Sequence, residues 1–230
     1  MIGCLGVIAI LCFGFLLMTE LARDRVREGS KPGVGTSEAK SSKPDASTNE
    51  AWASKRVHGF TPLMRAAYQG QDAEVQRLIK RRHYVDRRTT EGTTALMAAA
   101  VKGHTEAVRL LVEAGADMNI QNNGGYTALM LALGQWKMRA FRILLEAGAD
   151  VDKQEKETGA TALLQAVVLG NREAVRLLIA AGADQGKKTY DGFTAAMLAA
   201  TNGKTEILKI LESHRQSGDV KGDIQQWAQD

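Results

Sequence analysis

The sequence predicts an all-α repeat solenoid, built from helix-turn-helix units joined by β-hairpin loops and preceded by an N-terminal transmembrane helix. Threonine recurs at positions 61, 94, 127, 161 and 194, spacings of 33, 33, 34 and 33 residues, which is the signature of one supersecondary unit repeated in tandem. Of 230 residues, 33 are Ala and 23 are Gly, against only 3 Pro. That balance suits helices packed at close approach, since Ala has the highest helix propensity and adds little bulk. Residues 2–18 form an uncharged run of 17, IGCLGVIAILCFGFLLM.

That run defines the first segment, residues 1–22, as a hydrophobic anchor or signal. At about 1.5 Å per residue it just crosses a hydrocarbon core of roughly 30 Å. A cleaved signal wants a positive start and a small-x-small site. No Lys or Arg precedes the run, and Glu20-Leu21-Ala22 puts a charge where a small residue belongs. A lipoprotein signal wants a small residue before its Cys, whereas Cys12 follows Leu11 and Cys4 comes too early. A single spanning anchor fits best. Arg23, Arg25, Arg27 and Lys31 follow it, so the positive-inside rule places the rest of the chain in the cytoplasm, with a periplasmic or secreted location as the alternative.

Residues 23–50 read as a flexible linker. From 29 to 50 there is one Val, no aromatic residue and two of the three prolines, too little apolar surface to offset the entropy of ordering. Charge is uneven beyond it. Residues 51–88 carry nine Lys or Arg against three Asp or Glu, while 1–50 balance at six each and the remainder holds 15 against 17. A basic end on a neutral body suits either a solvated face or an anionic neighbour such as a lipid surface or nucleic acid.

Residues 51–213 form the repeat domain. Each Thr opens a similar phrase, Thr61-Pro62-Leu63-Met64, Thr94-Ala95-Leu96-Met97, Thr127-Ala128-Leu129-Met130, Thr161-Ala162-Leu163-Leu164 and Thr194-Ala195-Ala196-Met197. A Thr before an apolar turn caps a helix through its hydroxyl. Nine residues on stands Gly70, Gly103, Gly170 or Gly203, letting the chain turn between antiparallel helices, with Trp136 as the exception. A second apolar helix follows, and three units close with Gly-Ala-Asp ending at Asp117, Asp150 and Asp184. Asn123-Gly124 and Asp191-Gly192 are hairpin-turn dipeptides between units.

In these motifs the chain resembles the ankyrin-repeat family, with five repeats over about residues 57–213. The resemblance implies ankyrin-type units that bind proteins and carry no cofactor. Departures are informative. Only Pro62 keeps the Pro that usually follows the Thr, and Met64, Met97, Met130, Leu164 and Met197 stand where the family usually has His. Since that position is buried in the family, the swap reads as packing by a polarizable side chain. Repeat one closes on Arg82-His83-Tyr84, a polar capping unit. The tail, residues 214–230, holds Ile224 and Trp227 three apart, suited either to packing on the last repeat or to a partner.

No chemistry of turnover is legible. Residues 55 to 212 contain no Ser and no Cys, so no such nucleophile exists inside the repeats. His58, His83, His104 and His214 have no metal-ligand spacing, and no phosphate-binding glycine loop occurs. The expectation is therefore no enzyme, no catalytic or metal residue and no cofactor.

The resemblance implies a concave groove lined by hairpin tips and first helices. At the tips stand Phe60, Thr90, Glu91, Thr93, Asn123, Tyr126, Tyr190, Asp191 and Phe193. Facing the groove from the helices stand Tyr68, Gln69, Val101, Lys102, Gln135, Trp136, Val168 and Leu169. Phe60, Tyr126 and Phe193 directly precede the repeat Thr, where they either present aromatic anchors to a partner or cover their own hairpin. Trp136 replaces a turn Gly, so the fold itself does not call for it. The extra residue of the fourth hairpin, within residues 152–158, makes that tip longer and more charged. The resulting expectation is a monomeric, membrane-tethered adaptor that binds an unidentified protein partner. Its alternatives are an exported binder with a protective or inhibitory role, or a lipid or nucleic-acid binder working through the basic first repeat, nucleic acid being the less favoured.

Overall fold

The computed structural model describes residues 59–80 and 84–215. Among them lie ten helices in five antiparallel pairs: α1 (Pro62–Gln69) with α2 (Asp72–Lys80), α3 (Ala95–Lys102) with α4 (Thr105–Glu113), α5 (Ala128–Gly134) with α6 (Met138–Glu146), α7 (Ala162–Leu169) with α8 (Arg172–Ala180), and α9 (Ala195–Thr201) with α10 (Thr205–Arg215). The first helices α1, α3, α5, α7 and α9 stack in one layer, and the second helices stack in the other. The predicted anchor at 1–22, the linker at 23–50, His58, His83 and the tail from 216 lie outside the described residues. No helix among the described residues is long and apolar enough to cross a membrane.

Every first helix begins as the repeated threonines require. The hydroxyls of Thr61, Thr94, Thr127, Thr161 and Thr194 accept from the backbone N–H three residues on, at 3.2, 3.3, 3.3, 3.4 and 3.4 Å. This satisfies a donor that the helix itself leaves orphaned. In α1 the exchange is reciprocal, since the Thr61 N–H donates to the Met64 sulfur at 3.4 Å. Met64, Met97, Met130 and Leu164 are all buried, so the apolar residues at this position are core.

α1, α3 and α7 end on Gly70, Gly103 and Gly170 in the left-handed conformation, as the helix turn demands. The loops between units form hairpin hydrogen bonds but no strands among the described residues, which corrects the β-hairpin expectation. Each instead folds around one side chain. The Thr89, Asn122 and Thr189 side chains accept from the N–H four residues on, at Thr93, Tyr126 and Phe193. In the fourth loop the extra residue lengthens the span to five, and the longer Glu155 carboxylate reaches the Ala160 N–H at 3.0 Å.

Two ladders then tie unit to unit. The Asp117, Asp150 and Asp184 N–H groups donate to the side chains of Asp86, Asn119 and Asp152 in the preceding unit, at 3.0, 2.8 and 3.0 Å. Burial pushes the Asp86 carboxyl above its ordinary range, and the neighbouring Asp117 charge adds to this against the hydrogen bond from the Asp117 N–H. Nearer the hairpin tips, Arg88 donates to the Gln121 carbonyl, Gln121 to the Gln154 carbonyl, and Gln154 to the Lys188 carbonyl. Closing-motif residues thus act at the joints between repeats.

Candidate binding surface

The candidate surface is assembled by the layer of first helices and the loops that flank it. The helices bring Leu131 and Val101 to a buried position and leave Lys102, Gln135, Val168 and Leu169 half-buried and Gln69 exposed. The tips hold Thr90 and Glu91 half-exposed and Asn123 and Asp191 exposed, while Thr93 is buried. Backbone hydrogen bonds run from tip to tip, Asn123 N–H to the Glu91 carbonyl, Lys156 N–H to Gly124 and Tyr190 N–H to Thr158, at 2.9, 2.9 and 2.8 Å. The row of tips is therefore continuous and set in register.

Five of the positions expected to face a partner do not do so, Thr93 and Val101 as given above and three aromatic residues. Phe60, Tyr68 and Tyr126 are only 7, 8 and 9 % exposed and belong to the hydrophobic core. Phe60 meets Tyr68 edge-to-face at 5.9 Å between ring centroids. Tyr126 lies against the fourth loop, where burial, reinforced by the Glu155 and Glu157 charges, pushes its phenol up to about 12. Tyr126 covers its own hairpin at Gly124, Phe60 is covered by Tyr68 of its own repeat, and Phe193 is half-buried. For Tyr126 the physical reason is non-local, since the next unit's loop lies against it.

Among the described residues two large apolar side chains are exposed instead, Trp136 at 55 % and Tyr190 at 66 %. Tyr190 lies across the fourth loop. A Cβ on Gly159 would come within 2.8 Å of its ring, so Gly159, at φ 73°, makes room for that ring to lie flat. Trp136 follows the C-cap of α5 with φ 57°, the one described non-glycine residue with positive φ. Lys102 folds back over the Tyr68 ring, its ammonium 4.5 Å from the centroid, a cation–π contact.

Basic residues of the first repeat are partly absorbed by the fold. Arg77 pairs with Glu74, Arg88 is tied to Gln121, and Arg87 stands over the Tyr84 ring. His104 is structural, with its Nε2 3.0 Å from the Tyr68 carbonyl oxygen. No group of metal-ligating side chains gathers among the described residues.

One residue escaped sequence reasoning on this surface. Gln165, on α7, is buried with its side-chain nitrogen unpartnered. Its counterparts in register are Arg65, Ala98, Leu131 and Leu198, leucine in both neighbouring units. A buried unsatisfied donor costs about 1–3 kcal/mol, so Gln165→Leu should stabilise the domain by about 1 kcal/mol, read as a higher urea midpoint. An unchanged or lower midpoint would show that the amide has a partner after all.

A family model for ankyrin repeats in three copies matches residues 44–122, 63–155 and 137–221. The chain belongs to the ankyrin-repeat family, whose members generally mediate protein–protein binding and are typically non-catalytic. A comparison with curated proteins returns no match.

Proposed function

We propose that this protein binds a protein partner through the concave face of its repeats, without turnover, while residues 1–22 tether it to a membrane with the repeats on the cytoplasmic side. The observation that supports the face is the placement of the exposed large apolar side chains. Among the described residues, Trp136 and Tyr190 alone are of this kind, and they flank the first-helix layer, one at an inter-helix turn and one at a hairpin tip. Exposed aromatics of this size are the residues that dominate interface energetics. Around them, Gln69, Asn123, Glu91, Lys102 and Gln135 supply polar groups for a rim.

The test places a photo-crosslinking amino acid in the full chain within its native membrane, at Tyr190, at Gln69 or, as a control, at Arg176 on α8. We expect a discrete protein adduct from positions 190 and 69 and none from 176. An adduct from 176 alone would move the binding face to the opposite layer. The tether has its own check: a C-terminal reporter active only in the cytoplasm should be active, and activity of a periplasmic reporter alone would reverse the orientation.

A further inference from the structure

Repeat three departs from its neighbours at one point, the turn between α5 and α6, and it does so in three ways. Where the other units hold Gly70, Gly103, Gly170 and Gly203, it holds Trp136, in a left-handed conformation that disfavours any side chain. The turn glycines of units one, two and four are each roofed by a side chain of the following unit: His104 over Gly70, Lys137 over Gly103, Lys204 over Gly170. Over Trp136 the corresponding residue is Asn171, and its Nδ2 donates to the sulfur of Met138 in that same turn at 3.2 Å. Its Oδ1 caps α8 by accepting from the Ala174 N–H at 3.0 Å, and the side chain is buried. Asn171 thus meets the turn at Met138, while Trp136 itself stays 55 % exposed.

The third departure is charge. Second helices α2, α4, α8 and α10 carry an acidic residue in their first turn, and α6 carries none. Arg139 stands in the register of Glu106, Glu173 and Glu206. The loop that bears Trp136 thus holds Lys137 and Arg139 and no carboxylate, with Lys102 on the preceding turn and Arg172 on the next. The positive φ at Trp136 and the missing acidic residue both work against local stability, and local rules are broken together chiefly where a site requires it.

From this we infer that the third turn, residues 135–139, is the docking point for an acidic segment of a partner protein, with Trp136 as the apolar anchor and Lys137 and Arg139 as the cations that receive its carboxylates. The inference rests on the reading of the domain as a protein-binding module and adds the chemistry of the ligand. The narrowness of the basic patch favours a peptide segment over an anionic membrane. Glu106 and Glu173 stand on the flanking units, Glu173 paired with Arg142, and Glu206 recurs on the last unit. A flat anionic surface laid along this edge would meet those carboxylates, whereas a segment crossing one turn does not.

Trp136→Gly restores the glycine of the other four units and Arg139→Glu the glutamate of units two, four and five, where unit one has Ala73, so both are expected to raise the urea midpoint of the full chain, and loss of binding cannot be ascribed to misfolding. The probe is a phage-displayed library of random peptides panned on the full chain. We expect selected peptides rich in Asp and Glu around an aromatic or aliphatic residue, with affinity at least about tenfold weaker for each variant. Peptides that lose affinity with Tyr190→Ala but ignore both turn variants would overturn this inference and leave the concave-face reading standing. Peptides indifferent to all three would overturn both. Selection without acidic enrichment, or sedimentation with phosphatidylglycerol vesicles that the turn variants abolish while no acidic peptide is captured, also overturns it.

Discussion

Phe141→Ala is expected to lower the stability of the domain by about 4 kcal/mol, within the range for emptying a buried Phe site. Phe141 is fully buried on α6, the second helix of the central unit. In the same register the other units carry Val75, Val108, Val175 and Leu208, so the middle of the stack holds the largest side chain of the series. α6 packs between α4 and α8. A cavity there weakens both interfaces of the central repeat at once, and in a linear array each unit is held chiefly by its neighbours. The urea transition followed by circular dichroism should therefore shift down and separate into two steps, one for each half of the stack. Phe141→Leu, which keeps most of the volume, should cost about half as much and retain one step. A single transition at the original midpoint for Phe141→Ala would show that the site collapses around the smaller side chain.

Most of this architecture was legible because its determinants are local and repeated. A threonine three residues before a buried methionine specifies a cap without reference to anything distant. The Gly nine residues on specifies a left-handed turn in the same way. Trp136 was legible as an exception for that reason: it breaks a rule the other units state four times. What could not be read were features created by the next unit. Tyr126 sits beside a hairpin tip in sequence, yet the next unit's loop lies against it and it is buried. Asn171 acts across the joint as well, donating to the Met138 sulfur one unit earlier. Arg139 looks like an ordinary surface residue until it is laid beside Glu106, Glu173 and Glu206. The fourth hairpin shows the same limit, because DKQEKET reads as a charged, protruding tip while its central carboxylate is buried.

Glu155→Ala is therefore expected to cost about 3 kcal/mol, although it removes a charged residue from a loop. One carboxylate organises the whole turn. Its oxygens accept from the N–H of Glu157 at 2.7 Å, of Thr158 at 2.7 Å and of Ala160 at 3.0 Å, and from the Thr158 hydroxyl. Alanine supplies no acceptor, and hydrogen bonds to a charged acceptor contribute about 1.5–3 kcal/mol each before the loop relaxes toward water. The consequence reaches the binding face, since Tyr190 rests on this loop and its hydroxyl donates to the Glu155 carbonyl at 3.5 Å. Amide hydrogen exchange should accelerate at Thr158, Ala160 and Tyr190, whose own N–H is held by the Thr158 carbonyl, while the central helix α5 keeps its protection. Glu155→Gln keeps one oxygen for the Ala160 N–H and should fall between the two. If Glu155→Ala left exchange at Ala160 unchanged, the loop would be held by its backbone alone, and the added residue of the fourth hairpin would need another explanation than the longer reach of glutamate over asparagine and threonine.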